Sequence, residues 1–156
     1  MKIKIRKGKK KDAAAMFQLI SELALFERAP NEVTNSIEKI TKDGFGKNKI
    51  FKSLVAEDEQ KNILGIAVFF VAYSTWKGKI IYLDDLIVTE QQRRSGIGKM
   101  LFDEVVRAAK KEKANQLRWH VLDWNVNAIN FYKKYSASLD PTWITGKLSA
   151  EQIKNF

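Results

Sequence analysis

Cysteine is absent from all 156 residues, histidine occurs once, and there are only two prolines. Without a thiol there is no disulfide framework, no thiolate zinc site and no cysteine nucleophile. His120, standing alone, excludes a two-histidine metal site and leaves no plausible serine triad. Long apolar runs are missing too. The longest, Ile63 to Tyr73, contains Gly65 and is far too short to span a bilayer, and the start MKIKIRKGKKKD lacks the apolar centre of a signal peptide. These gaps predict a soluble, cytoplasmic protein with no metal and no membrane partner.

Positive charge is plentiful. Lysine and arginine number 28 against 18 acids, a net charge of +10, so a polyanionic partner has to be considered. The cluster Lys7, Lys9, Lys10 and Lys11 is the place to look for nucleic-acid binding. No recognition-helix, zinc-finger or aromatic RNA-binding signature accompanies it, and it reads as a solvated loop before the first helix. No nucleic-acid partner is expected, although a basic nucleic-acid-binding module is the competing class. A chain of this length buries roughly two thirds of its unfolded surface as one domain, and 1–156 is taken as a single domain.

The pattern along the chain is mixed α/β. Ile3 and Ile5 alternate with Lys2, Lys4 and Arg6 as a half-buried strand. Asp12 is placed to cap a helix whose apolar face is Ala15, Met16, Leu19, Ile20, Leu23 and Phe26, ending near Pro30-Asn31. Thr34, Ile37, Ile40 and Phe45 predict a second short helix stopped by Gly44 and Gly46. Strands over Ile50 to Glu57, Ile63 to Tyr73 and Lys79 to Val88 form an antiparallel meander. A helix follows, then a strand over Asn115 to Asp123, a helix over Asn127 to Tyr135, and a final strand over Trp143 to Leu148.

The most informative stretch is Ile80 to Lys110. A β-branched run ends at Val88, the chain turns through Gly96 and Gly98, and Ile97, Leu101, Val105 and Ala108 then recur at helical spacing. Glycines turn backbone N–H groups toward one point, the helix start adds unpaired donors, and Arg93, Arg94 and Lys99 add charge: an anion site that fits a phosphate. The Walker pattern fails, because Arg93 stands where its first glycine belongs and Met100 where it needs serine or threonine. The dinucleotide fingerprint fails at Leu101, where its third glycine would fall. What remains is the short form R/QxxGxG, matched by Arg93-Arg94-Ser95-Gly96-Ile97-Gly98.

That loop resembles the acyl-CoA pyrophosphate loop of the GNAT N-acetyltransferases, and the order of elements resembles that fold along almost the whole chain. In-register matches LISELALFE, DGFGKN, YLDDLIV, RRSGIGK and WNVNAINFYKK resemble the diamine (spermidine/spermine) and thialysine N-acetyltransferase branch. The resemblance implies a central, mostly antiparallel sheet of about six to seven strands flanked by about four helices. It also implies acetyl-CoA as co-substrate, a small-molecule amine (polyamine, thialysine or similar) attacking directly in a ternary complex, and a homodimer. An amino-acid or protein amine, or an acyl-CoA sensor without turnover, is the alternative.

The same resemblance assigns residues. Leu86, Ile87 and Val88 offer backbone groups to the pantetheine arm and thioester, while Arg93, Arg94, Ser95, Gly96, Ile97, Gly98 and Lys99 hold the pyrophosphate. Asn125, Asn127 and Ala128 lead to Tyr132, the general acid, whose ordinary pKa near 10 keeps it protonated at neutral pH. Asp84 is placed near a water that takes the amine proton, and Asp85 and Glu27 against the cationic substrate. Strand alternation sends Asp84 and Asp85 to opposite faces unless a bulge intervenes. Three departures from the branch stand out: Phe26 replaces an aromatic phenol, Asp84 replaces a longer glutamate, and Ser136 stands where glycine usually follows the tyrosine. Trp76 and Trp119 are candidate walls of an amine pocket, and His120 reads as structural.

Overall fold

Alternation of apolar and polar residues builds the sheet, and the computed structural model describes residues 2–156. Its strands are β1 (Lys4–Lys7), β2 (Lys52–Glu57), β3 (Ile63–Ser74), β4 (Gly78–Val88) and β5 (Leu117–Arg118). The helices are α1 (Ala13–Phe26), α2 (Ile37–Phe45), α3 (Ile97–Lys111), α4 (Val126–Lys133) and α5 (Ala150–Lys154). The strand order is β1-β2-β3-β4-β5, antiparallel throughout except for the parallel β4–β5 pair. The mixed α/β class holds; the sheet has 5 strands among the described residues, rather than six or seven.

The shortfall lies at the C-terminal end. The strand expected over Asn115 to Asp123 shrinks to two residues, and Trp143 to Leu148 is irregular, with Trp143 and Ile144 largely exposed. Among the described residues no strand pairs with that segment, and pairing is what stabilises a strand. Gly44 does not stop α2 either. It is buried inside the helix, where any Cβ would lie 2.4 Å from the Phe51 ring, and the chain leaves the helix at Gly46.

The residues fall into two units, one running to Trp119 and the other from His120 to Phe156. In the first, α1 and α2 cover one sheet face with Ala13, Met16, Leu19 and Ile40 against Val55, Ile66, Val68 and Ile87. Each such burial contributes about 1.5–3 kcal/mol for a large aliphatic side chain. Helix α3 buries Ile97, Leu101, Phe102 and Val105. Gly65 lets it approach: a Cβ there would sit 2.8 Å from the Ile87 carbonyl oxygen and 3.1 Å from Leu101 Cδ1.

Asp12 does not cap α1 with its side chain. Its carboxylate accepts the Lys9 backbone N–H at 2.7 Å and pairs with Arg6, whose guanidinium also reaches Glu57 Oε2 at 2.6 Å. Burial alone would raise the Asp12 pKa, but the Arg6 and Lys9 hydrogen bonds outweigh it and hold the carboxyl below its usual range. This network joins β1, β2 and the start of α1.

Candidate active site

Strand β4 carries both halves of the candidate site in the first unit. Across β3 its register runs Ile66↔Ile87, Ala67↔Leu86, Val68↔Asp85 and then Phe69↔Leu83, which leaves Asp84 as an extra residue at a bulge. Simple alternation therefore does not apply. Asp85 opposes Val68 and shares the sheet face covered by α1, while Asp84 is exposed.

Glu27 ends α1 as its C-terminal cap. Burial, then the charges of Asp84 and Glu27, push Asp85 up to about 7, and burial raises Glu27 as well. The three carboxyls form one electrostatic group that gains from a cation. Tyr82, two residues before Asp84 on β4, is also raised, first by burial and then by the Asp84 charge.

Beyond Val88 the chain passes Thr89, whose hydroxyl donates to Glu22 Oε2 at 3.2 Å, and reaches the glycine loop. Arg94 and Gly96 adopt left-handed backbone, φ +65° and +89°, and a Cβ on Gly96 would meet nothing within 4 Å. Gly96 is the N-terminal cap of α3, and Met100 N–H donates to its carbonyl. The N–H groups of Ile97 and Gly98, in the first α3 turn, lie ahead of that first helical bond and point out of the helix start. The loop therefore has the open backbone and donor set that a diphosphate needs. Ser95 Oγ donates to the Gln92 carbonyl, Lys99 pairs with Asp103 at 2.7 Å, and Arg94 is exposed. Arg93 donates to the Val88 carbonyl at 3.3 Å.

In the second unit, Asn125 caps α4, its side chain accepting the Ala128 N–H at 3.2 Å. Asn127 lies in the first turn and is exposed. Tyr132 is 7% exposed, and burial pushes its phenol up to about 12. Ser136, after the helix, takes φ +56°, the conformation a glycine adopts without strain.

The remaining candidates divide. Trp119 packs edge-on against Phe102, centroids 5.5 Å apart, which is a packing role for its ring. Trp76 lies in the β3–β4 turn and is exposed, and His120 follows β5 in irregular chain. The Phe26–Arg93 contact, with Arg93 Cζ 4.6 Å from the ring centroid, could not be read from the sequence. Among the described residues no group of three His, Asp or Glu side chains is arranged for a metal ion, and no helix is long and apolar enough to cross a membrane.

A strand with a bulged acid pair leads here to a glycine-opened helix, and residues 15–136 match the acetyltransferase (GNAT) family. The chain belongs to that family and is an acetyltransferase enzyme. It is 37% identical over 164 residues to the thialysine N-epsilon-acetyltransferase of Mus musculus, covering 98% of this chain and 96% of that one. It is also 30% identical to the Homo sapiens spermidine/spermine N(1)-acetyltransferase-like protein 1, covering 96% of this chain and 23% of the relative. In fold it is similar to an integron cassette protein from the mobile metagenome of V. cholerae, with TM-score 0.78 and 21% identity over 99% of this chain and 97% of that one.

Proposed function

We propose that this enzyme transfers an acetyl group from acetyl-CoA to a primary amine of a small molecule of polyamine or thialysine type. One observation carries the reading: β4 holds the acid pair Asp84 and Asp85, beside Glu27, and ends three residues later at Val88, from where one turn leads to the glycine loop at Arg93 to Gly98. A cation-seeking group and an anion-seeking loop on one strand suit an ammonium substrate and a phosphate-bearing donor. Similarity to thialysine and spermidine/spermine acetyltransferases supports the amine class.

Acetyl-CoA supplies an activated thioester; the chain supplies position and protons. Backbone groups of Leu86, Ile87 and Val88 orient the pantetheine arm and thioester carbonyl, while the loop from Arg94 to Lys99 and the start of α3 receive the diphosphate. Asn125, Asn127 and Ala128 at the start of α4 match the donor-binding positions of the branch this chain resembles, and Asn125 caps that helix. Glu27 and Asp85 hold the amine as its cation, and Asp84, exposed on the bulge, takes the proton through water so that the neutral amine can attack. Tyr132 keeps its proton at neutral pH, its phenol being pushed up to about 12, and gives it to the departing thiolate. A second assignment of the base is favoured by the pKa of Asp85, about 7, which suits it to accept the proton itself. The protein works as a homodimer, as the branch it resembles implies, and its cysteine-free composition suits the cytoplasm.

The test is melting with CoA and acetyl-CoA, followed by thiol release against polyamines, thialysine, lysine-like amino acids and a peptide amine. Stabilisation by CoA plus release with one small amine is expected. A shift with no turnover across the panel leaves a sensor, and no shift removes the CoA reading.

A further inference from the structure

The arginine that opens the R/QxxGxG loop invites a role as a phosphate ligand, yet its side chain is engaged elsewhere. Arg93 Nε donates to the Val88 carbonyl, the last residue of β4, at 3.3 Å. Its guanidinium carbon lies 4.6 Å from the centroid of the Phe26 ring, the last residue of α1. Glu27 follows directly as the cap of that helix. Thr89 makes a second tie between the same two elements, its hydroxyl donating to Glu22 on α1 at 3.2 Å. Swinging the guanidinium away into a diphosphate would cost Arg93 both the carbonyl and the ring face.

We propose that Arg93 is a positioning residue and not a phosphate ligand: it bolts the end of β4 to the end of α1, so that the donor-binding backbone at Val88 and the amine-binding acid Glu27 move as one piece. This rests on the acetyltransfer reading above. The chemistry of the contact needs a flat, delocalised cation with N–H donors at its edge. Arginine stacks its guanidinium on a ring and still donates in plane to a carbonyl, whereas a lysine ammonium is a compact charge that does not stack. A phosphate, by contrast, accepts lysine as readily as arginine at a point contact. The two roles therefore part company on substitution.

The experiment measures kcat and both KM values for wild type, Arg93→Lys, Arg93→Met, Phe26→Leu, Phe26→Tyr and the Arg93→Met/Phe26→Leu double variant, with melting temperatures as a folding control. Phe26→Met replaces Phe26→Leu if the latter does not fold. Arg93→Lys, Arg93→Met and Phe26→Leu are each expected to raise the KM of donor and amine together and to lower kcat/KM about tenfold, the scale of a small misplacement of reacting groups. The double variant should lose no more than either single one, because both remove the same contact. Phe26→Tyr, which keeps the ring, should stay near wild type. Rescue by Arg93→Lys, a rise in donor KM alone, a silent Phe26→Leu or losses that multiply in the double variant would each overturn the proposal. Wild-type protein that neither melts higher with CoA nor releases thiol removes the acetyltransfer reading and the inference with it; variant behaviour alone decides between strut and ligand.

Discussion

An aspartate sharing a sheet face with Val68, Ile66 and Ile87 is costly to ionise, and burial, then the charges of Asp84 and Glu27, push Asp85 up to about 7. Its folded pKa lies above the ordinary carboxyl value of 3.8, so the folded state binds that proton more tightly than the unfolded one. The destabilisation is absent below about pH 4, grows from there to about pH 7 and is complete above it. Asp85→Asn should therefore melt higher than wild type at pH 8, with the gap closing toward pH 4. Calorimetry across that range checks this. Activity should move the other way: losing a charged partner for the ammonium raises the amine KM about 10- to 100-fold, from the 1.5–3 kcal/mol of a charge-assisted hydrogen bond. The acid limb of the wild-type kcat/KM profile, falling below about pH 7, should vanish in the same variant; an unchanged limb would assign it to another group. Tyr132 carries the opposite prediction, because a phenol pushed up to about 12 stays protonated across the working range. Tyr132→Phe should lower kcat by about 10²-fold or more, the usual scale of a positioned acid, while CoA still raises the melting temperature. Full activity in Tyr132→Phe would move the acid elsewhere.

At the scale of elements, α4 ends under strain. Ser136 holds φ +56°, and a non-glycine residue there costs about 1–2 kcal/mol. Ser136→Gly should recover about 1 kcal/mol and raise the melting temperature by about 2–4 °C for a chain of this size. Equal or lower melting would show that Ser136 meets that conformation without cost. How much of the fold could be read from sequence divides along the same lines. Strands β2, β3 and β4 were legible because each carries an apolar stretch, Leu54 to Ala56, Ile63 to Tyr73 and Ile80 to Val88 around the acid pair, bounded by polar turn residues. The glycine loop and α3 were legible because glycine and helical periodicity adjoin without a gap. The bulge at Asp84 was not, since an extra residue in one strand shows only against the register of its partner. Nor was the Phe26–Arg93 contact, made between residues far apart in the chain by packing of α1 against the segment after β4. Trp143 to Leu148 misled for the reverse reason: local apolar content suggests a strand, but pairing decides it.

For the whole molecule, the net charge of +10 acts on the two proposed substrates, which are of opposite sign. A field of that sign draws an anionic donor toward the loop at Arg94 and Lys99 and resists a polycationic amine until it comes within reach of Glu27, Asp84 and Asp85. Because the acids sit within one short stretch of β4 and the end of α1, their attraction is local, and the long-range term is left to the lysine and arginine excess. Salt separates the two, shortening the Debye length from about 14 Å at roughly 0.05 M to about 4 Å at roughly 0.5 M, where distant charges are screened and contact pairs much less so. CoA affinity should therefore weaken severalfold over that range, measured by titration. The KM of a polyamine should stay level or fall, since the screened part of its interaction is repulsive. A CoA affinity indifferent to salt would mean that backbone donors alone hold the diphosphate, and a polyamine KM rising in step with that of CoA would mean that the acidic group reaches further than its three carboxyls suggest.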